Sequence, residues 1–136
     1  MRFVIQTITL TTGAVLAGIA MAGAAQTSSS VLYERDVRPI FKAHCFHCHG
    51  EAGEKKGGLD LRLQRLVLQG GESGPAIAAG KRDQSRLFKL ISSGKMPPED
   101  KSLSAEEVAV IGRWIDQGAI TARPEPAATV AEVRAL

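Results

Sequence analysis

Reactive side chains are scarce in this 136-residue chain, which has two cysteines, three histidines, three methionines, one tryptophan, one tyrosine and four phenylalanines. Each scarcity excludes something. All three histidines and both cysteines fall between positions 44 and 49, so no second knuckle exists to close a four-ligand zinc site. Few aromatics and a nearly balanced charge, 17 basic against 14 acidic residues, leave neither a stacking platform nor a basic field, and no nucleic-acid partner is expected. Alternating strand and helix patterns are also missing, which argues against a thioredoxin-like dithiol domain.

What is present is concentrated in Cys45-Phe46-His47-Cys48-His49. Two cysteines three apart can each add across a vinyl group of haem, and the histidine after the second is then held where its imidazole meets the iron. Cys45 and Cys48 are the expected attachment points and His49 the first iron ligand. Phe46 and His47 set the spacing. A dithiol redox pair, half a zinc site and a plain disulfide are the competing readings, and haem c, one group covalently attached, is the reading the spacing favours.

The N-terminus carries independent support. Arg2 is followed by an apolar run from Gly13 to Ala22, and Ala22-Gly23-Ala24 offers a small-residue cleavage site, so residues 1–25 read as an export signal. The competing reading is an uncleaved membrane anchor, weakened by Gln6 and the threonines at 7, 9, 11 and 12. Export places the protein in the periplasm or otherwise outside the cytoplasm, where c-type haem is attached. It also removes Arg2, leaving 16 basic against 14 acidic residues and no charge that specifies a partner.

Residues 26–30 read as a flexible lead-in, 31–120 as one small domain and 121–136 as a loose tail. The domain is expected to be all-α. A helix is predicted from about Glu34 to Cys45, with Pro39 in its first turn, and Gly50 to Gly58 as a solvent-facing loop in which Lys55 and Lys56 are solvated. Leu59, Leu61 and Leu63 alternate with polar residues, but Leu66 and Leu68 follow too closely for strand and helix to be told apart, and a short helix ending at Gly70-Gly71 is favoured. Asp83 is the expected N-cap of a helix carrying Leu87, Phe88, Leu90 and Ile91, stopped by Gly94. The last helix has a capping box in Ser104 and Glu107, a staple in Leu103 and Val108, and a stop at Gly118. Its Trp114 is expected to pack on Phe41 rather than to carry electrons.

Met1 and Met21 leave with the signal, so Met96 is the one thioether of the mature chain. It stands in Gly94-Lys95-Met96-Pro97-Pro98, where two prolines disfavour helix and stiffen the segment. Gap-filling in a core is the commoner role of methionine, but elimination and the prolines favour Met96 as the second iron ligand. His44 and His47 lie too near His49 in sequence to reach the far face of a haem and are read as partly exposed surface residues.

The chain resembles the planctomycete-type cytochrome c domain through Asp36-Val37-Arg38-Pro39-Ile40, Cys45-Phe46-His47-Cys48-His49-Gly50, Lys56-Gly57-Gly58-Leu59, Gly70-Gly71-Glu72-Ser73-Gly74-Pro75-Ala76, Met96-Pro97-Pro98 and Trp114-Ile115-Asp116-Gln117-Gly118-Ala119. The resemblance spans about residues 31–119. It implies a small cytochrome c fold wrapped around the haem, with thioethers at Cys45 and Cys48, iron between His49 and Met96, and Gly74-Pro75 along the haem edge. In that family the domain often leads a much larger protein, so no substrate is inferred from it.

The expected function is that of a single-haem electron carrier, not an enzyme, meeting redox proteins through an exposed haem edge where Lys95 is a candidate rim charge. Membrane association is expected only if the signal is retained. The alternatives are a haem enzyme or gas sensor with a labile sixth ligand, which would need a distal acid or base that the sequence does not offer, and a structural cytochrome module of a larger redox complex.

Overall fold

Helix-forming runs in this chain are short and separated by glycine-rich turns, and the computed structural model follows that pattern over the residues it describes, 29–98 and 101–125. The export signal expected over residues 1–25 lies outside them, as does the tail from residue 126. Among the described residues the structure is helical, with two isolated bridges, His49 to Lys55 and Gly71 to Gly74, and no strand. No helix among them is long and apolar enough to cross a membrane.

The first helical stretch lies within a residue of its expected bounds at each end but is not uniform. A five-residue π-helical turn, Tyr33–Val37, runs directly into α1, Arg38–His44. Asp36 sets the entry by accepting the Leu32 amide on Oδ2 at 2.7 Å, and Pro39 occupies the first turn of α1, where a missing N–H breaks no bond. The last helix, α4 (Ala105–Asp116), is the longest. Its capping box is complete: Ser104 Oγ accepts the Glu107 amide at 3.2 Å and Glu107 Oε2 accepts the Ser104 amide at 2.8 Å.

Helix α4 buries Ile111, Gly112, Trp114 and Ile115 and meets α1 through aromatic rings. Phe41 stands edge-on to Trp114 at 6.3 Å, as expected, and Tyr33 joins the pair 5.6 Å from Trp114. Trp114 Nε1 and the Tyr33 amide both donate to the Ile120 carbonyl, at 3.0 and 3.1 Å, so the chain just past α4 closes over the cluster. Tilted and edge-on aromatic pairs of this kind add roughly 0.5–1.5 kcal/mol each beyond area burial.

The middle of the chain departs from expectation in two places. The run from Leu59 is not helical at its start: residues 59–63 form no helix, Leu59 and Leu63 have extended backbone, and α2 covers only Gln64–Gln69. The polar residues between the leucines, Asp60 and Arg62, are buried along with Leu61 and Leu63. Gly70 then ends α2 with φ +76°, as predicted, and its backbone packs so closely that a Cβ would lie 2.0 Å from the Gly74 carbonyl oxygen. The second departure is at α3, Arg86–Ser92. Asp83 sits in a 3-10 turn, Arg82–Gln84, and the N-cap position belongs to Ser85. Its fully buried hydroxyl accepts the Ala78 amide at 2.9 Å and reaches the Lys81 carbonyl at 3.0 Å. Satisfying the preceding loop takes precedence over capping, because those loop groups are buried away from water. Helices α3 and α4 touch at Gly112, where a Cβ would come within 2.9 Å of the Phe88 ring.

The tail expected from residue 121 is in contact with the domain over its described part. Glu125 accepts the amides of Gln64 and Arg65 at 2.6 and 2.9 Å, and Ala122 donates to Glu34 at 2.8 Å. A carboxylate at the first amides of α2 supplies the cap that Leu63 cannot.

Candidate haem site

The motif that follows α1 is itself a tight turn. Cys45 ends the helix with its amide on the Phe41 carbonyl at 2.8 Å, and the amides of Cys48 and His49 both return to the Cys45 carbonyl, at 3.1 and 2.9 Å. Positions three and four apart share one side of such a turn, so Cys45, Cys48 and His49 are presented together. The two intervening residues divide the other work: Phe46 is buried, with the Arg38 guanidinium 5.7 Å from its ring centroid, while His47 is exposed. Phe46 therefore anchors the motif to the core as well as spacing it.

Cys45, Cys48 and His49 line a cavity of about 310 Å³. From a second stretch of chain Met96, Pro97 and Pro98 line the same cavity, and so does Gly74. Much of the remaining wall is apolar, with Leu87, Leu90 and Ile91 contributed by α3. Met96 is held there by the end of α3, since the amides of Lys95 and Met96 both donate to the Leu90 carbonyl, at 2.9 and 3.1 Å. Met96 is one of the few exposed large apolar residues, at 38%, which is unusual for a residue serving only to fill a core.

The protonation chemistry is that of neutral donors. Burial is the main influence on His49 and pulls its imidazole below the ordinary histidine value, the backbone of Leu59 and Lys56 pulling the other way. Its Nδ1 is buried without a hydrogen-bond partner. A metal ligand must be the neutral imidazole, and this environment keeps it so. Burial, with the nearby Cys48 and Glu107, pushes the Cys45 thiol up to about 12, so the free side chain is a neutral thiol near neutral pH. The two cysteines are not joined to each other, and among the described residues no group of three or more His, Cys, Asp or Glu side chains could hold a bare metal ion. Two free thiols, a neutral imidazole and a thioether around one largely apolar cavity fit a haem.

Several supporting residues had no sequence signal that singled them out. Tyr33 donates its hydroxyl to the Leu61 carbonyl, and the Leu61 amide donates to the His49 carbonyl at 2.9 Å, so the aromatic cluster is tied to the expected iron ligand through one residue. Burial raises the Tyr33 phenol far above its ordinary range, which keeps it a donor. His44, expected to be a partly exposed surface residue, is half-buried and also lines the cavity, and it pairs with Glu107 Oε1 at 3.0 Å, linking the end of α1 to the capping box of α4. Lys55 is not simply solvated, because its ammonium lies 3.4 Å from Asp60.

The profile of the family described as Planctomycete cytochrome C matches residues 45–100. Over those residues the chain is similar to the planctomycete-type cytochrome c domain, in agreement with the resemblance read from the sequence. The matched region runs from the first cysteine of the motif to just beyond Met96, and a cytochrome c domain implies haem c, held by cysteines spaced as Cys45 and Cys48 are. No curated protein and no solved structure matches the chain. The aromatic cluster built by Tyr33, Phe41 and Trp114 lies outside the matched residues.

Proposed function

We propose that the protein is an exported, single-haem electron carrier in which helices enclose the haem and the iron is held between His49 and Met96. One observation carries this reading: a single cavity is lined by both cysteines, by His49 and by the one methionine of the mature chain. Cys45 and Cys48 would hold the haem as thioethers, each S–H having added across a vinyl group with sulfur on one carbon and hydrogen on the other, and the turn from Cys45 to His49 would present the imidazole to the group so anchored. Bound haem supplies a one-electron ferric–ferrous couple. His49 enters as the neutral donor its burial favours, and Met96, tied to Leu90 and followed by two prolines, holds its sulfur in place in both oxidation states. A neutral thioether favours the ferrous form and raises the potential. Electrons pass to redox proteins through the haem edge by small contacts that release quickly, with Lys95 at the rim beside Met96, and the protein itself catalyses no further reaction.

Redox titration followed by absorption tests this. The purified protein is expected to exchange one electron per covalently held haem, reversibly, and to stay low-spin in both states. A high-spin ferric form that binds cyanide or carbon monoxide rapidly would instead mark an open sixth position and defeat the carrier reading.

A further inference from the structure

The most unusual polar feature beside the motif is a buried ion pair. Asp60 and Arg62 are 4% and 7% exposed, and they meet through a fork: Arg62 Nη2 on Asp60 Oδ2 at 2.7 Å and Nε on Oδ1 at 3.0 Å, with the Arg62 amide adding a third bond to Oδ1 at 3.1 Å. Lys55 approaches the same carboxylate at 3.4 Å. Burial alone would raise the Asp60 carboxyl, but the Arg62 bonds and the charges of Arg62 and Lys55 more than offset it and hold it below the usual range. The pair is therefore charged.

Its location is specific. Leu61, between the two charges, donates its amide to the His49 carbonyl at 2.9 Å. The stem of Arg62 lies on Gly50, the residue after His49, so closely that a Cβ there would come within 2.7 Å of Arg62 Cγ. A buried pair is weak evidence of a stabilising role, since it can often be exchanged for apolar residues without loss.

We propose that Asp60 and Arg62 are positioning residues for His49 that also set the reduction potential of iron bound there. Arg62 clamps Gly50 and with it the backbone of the ligand. The buried charges act on the iron because the ferric state carries one more positive charge than the ferrous: a cation beside it favours reduction, a carboxylate opposes it, and burial weakens the screening of both. This rests on the haem reading given above.

The test uses the full-length holoprotein and compares midpoint potentials of the wild type, Asp60→Asn, Arg62→Gln, the double variant and Arg62→Lys at one pH and ionic strength. Asp60→Asn leaves Arg62 and Lys55 uncompensated and should raise the potential. Arg62→Gln leaves the carboxylate with Lys55 alone and should lower it. The double variant restores the native local charge and should return toward the wild type, and Arg62→Lys should keep the wild-type potential while unfolding at lower temperature. A merely structural role predicts shifts of one sign in both single variants and a larger one in the double, and that pattern, or no shift in folded holoprotein, overturns the proposal. Should Arg62→Gln fail to fold, the double variant must still lie below Asp60→Asn. Absence of covalent haem in the wild type would remove the haem reading and this inference together, before any variant is compared.

Discussion

Two parts of the molecule are held by different means. The frame, Tyr33–His44 and α4, closes on itself through three aromatic rings and the shared Ile120 carbonyl. The region between, from Cys45 to Pro98, is built of helices of seven residues or fewer, 3-10 turns and glycine contacts around the cavity. Burial within the protein organises the frame, whereas the middle region is organised around a space that a haem would fill. Changes in the frame away from the cavity should therefore alter stability and leave the spectrum of folded protein alone, while changes in the middle region should alter the spectrum, the potential or haem retention.

The largest expected effect is in the middle region: replacing Cys45 and Cys48 together by Ala should abolish haem that survives acid extraction, and the thermal transition should broaden or vanish, since a domain of this size has little core to spare. A sharp, wild-type-like transition without haem would show that the middle region needs no cofactor. In the frame, Trp114→Ala should cost about 3–5 kcal/mol in denaturant unfolding, with the absorption spectrum of the remaining folded protein unchanged. A spectral change would put Trp114 in the site instead of the frame.

Asp60→Asn breaks one side of a buried pair and should cost roughly 3–5 kcal/mol near neutral pH. Its pH dependence has a definite sign. The Asp60 carboxyl lies below its unfolded value of about 3.9, so its contribution is complete above that value and is lost as pH falls through the lower, folded one. The gap between wild type and variant should thus close on acidification, and a gap that widened in acid would show the pair to be misassigned. Smallest is Ser104→Ala, which removes half the capping box and should cost about 1 kcal/mol, read from the chemical-denaturation midpoint with no change in potential.

The same contrast explains what could be read from the sequence. Frame features are local and periodic, so the capping box, the stop at Gly118 and the contact between Phe41 and Trp114 were all legible, as was the local stop at Gly94 in the middle region. So were the residues that meet at the cavity, because the motif's spacing and the elimination of two methionines need no knowledge of the fold. The non-helical start at Leu59 was not, since polar residues alternating with leucines normally mark a solvated face, and here Asp60 and Arg62 are buried by satisfying each other. Ser85 was missed because its partners are loop groups that no pattern announces, and Tyr33 because its acceptor is a carbonyl 28 residues away.

The central claim is that His49 and Met96 hold one iron between them, and the absorption spectrum of the oxidised protein tests it most directly. A weak far-red band, which marks sulfur bound to low-spin ferric haem, should be present in the wild type and disappear in Met96→Ala with the haem still attached. A wild-type spectrum without that band, or a Met96→Ala spectrum that keeps it, would contradict the account.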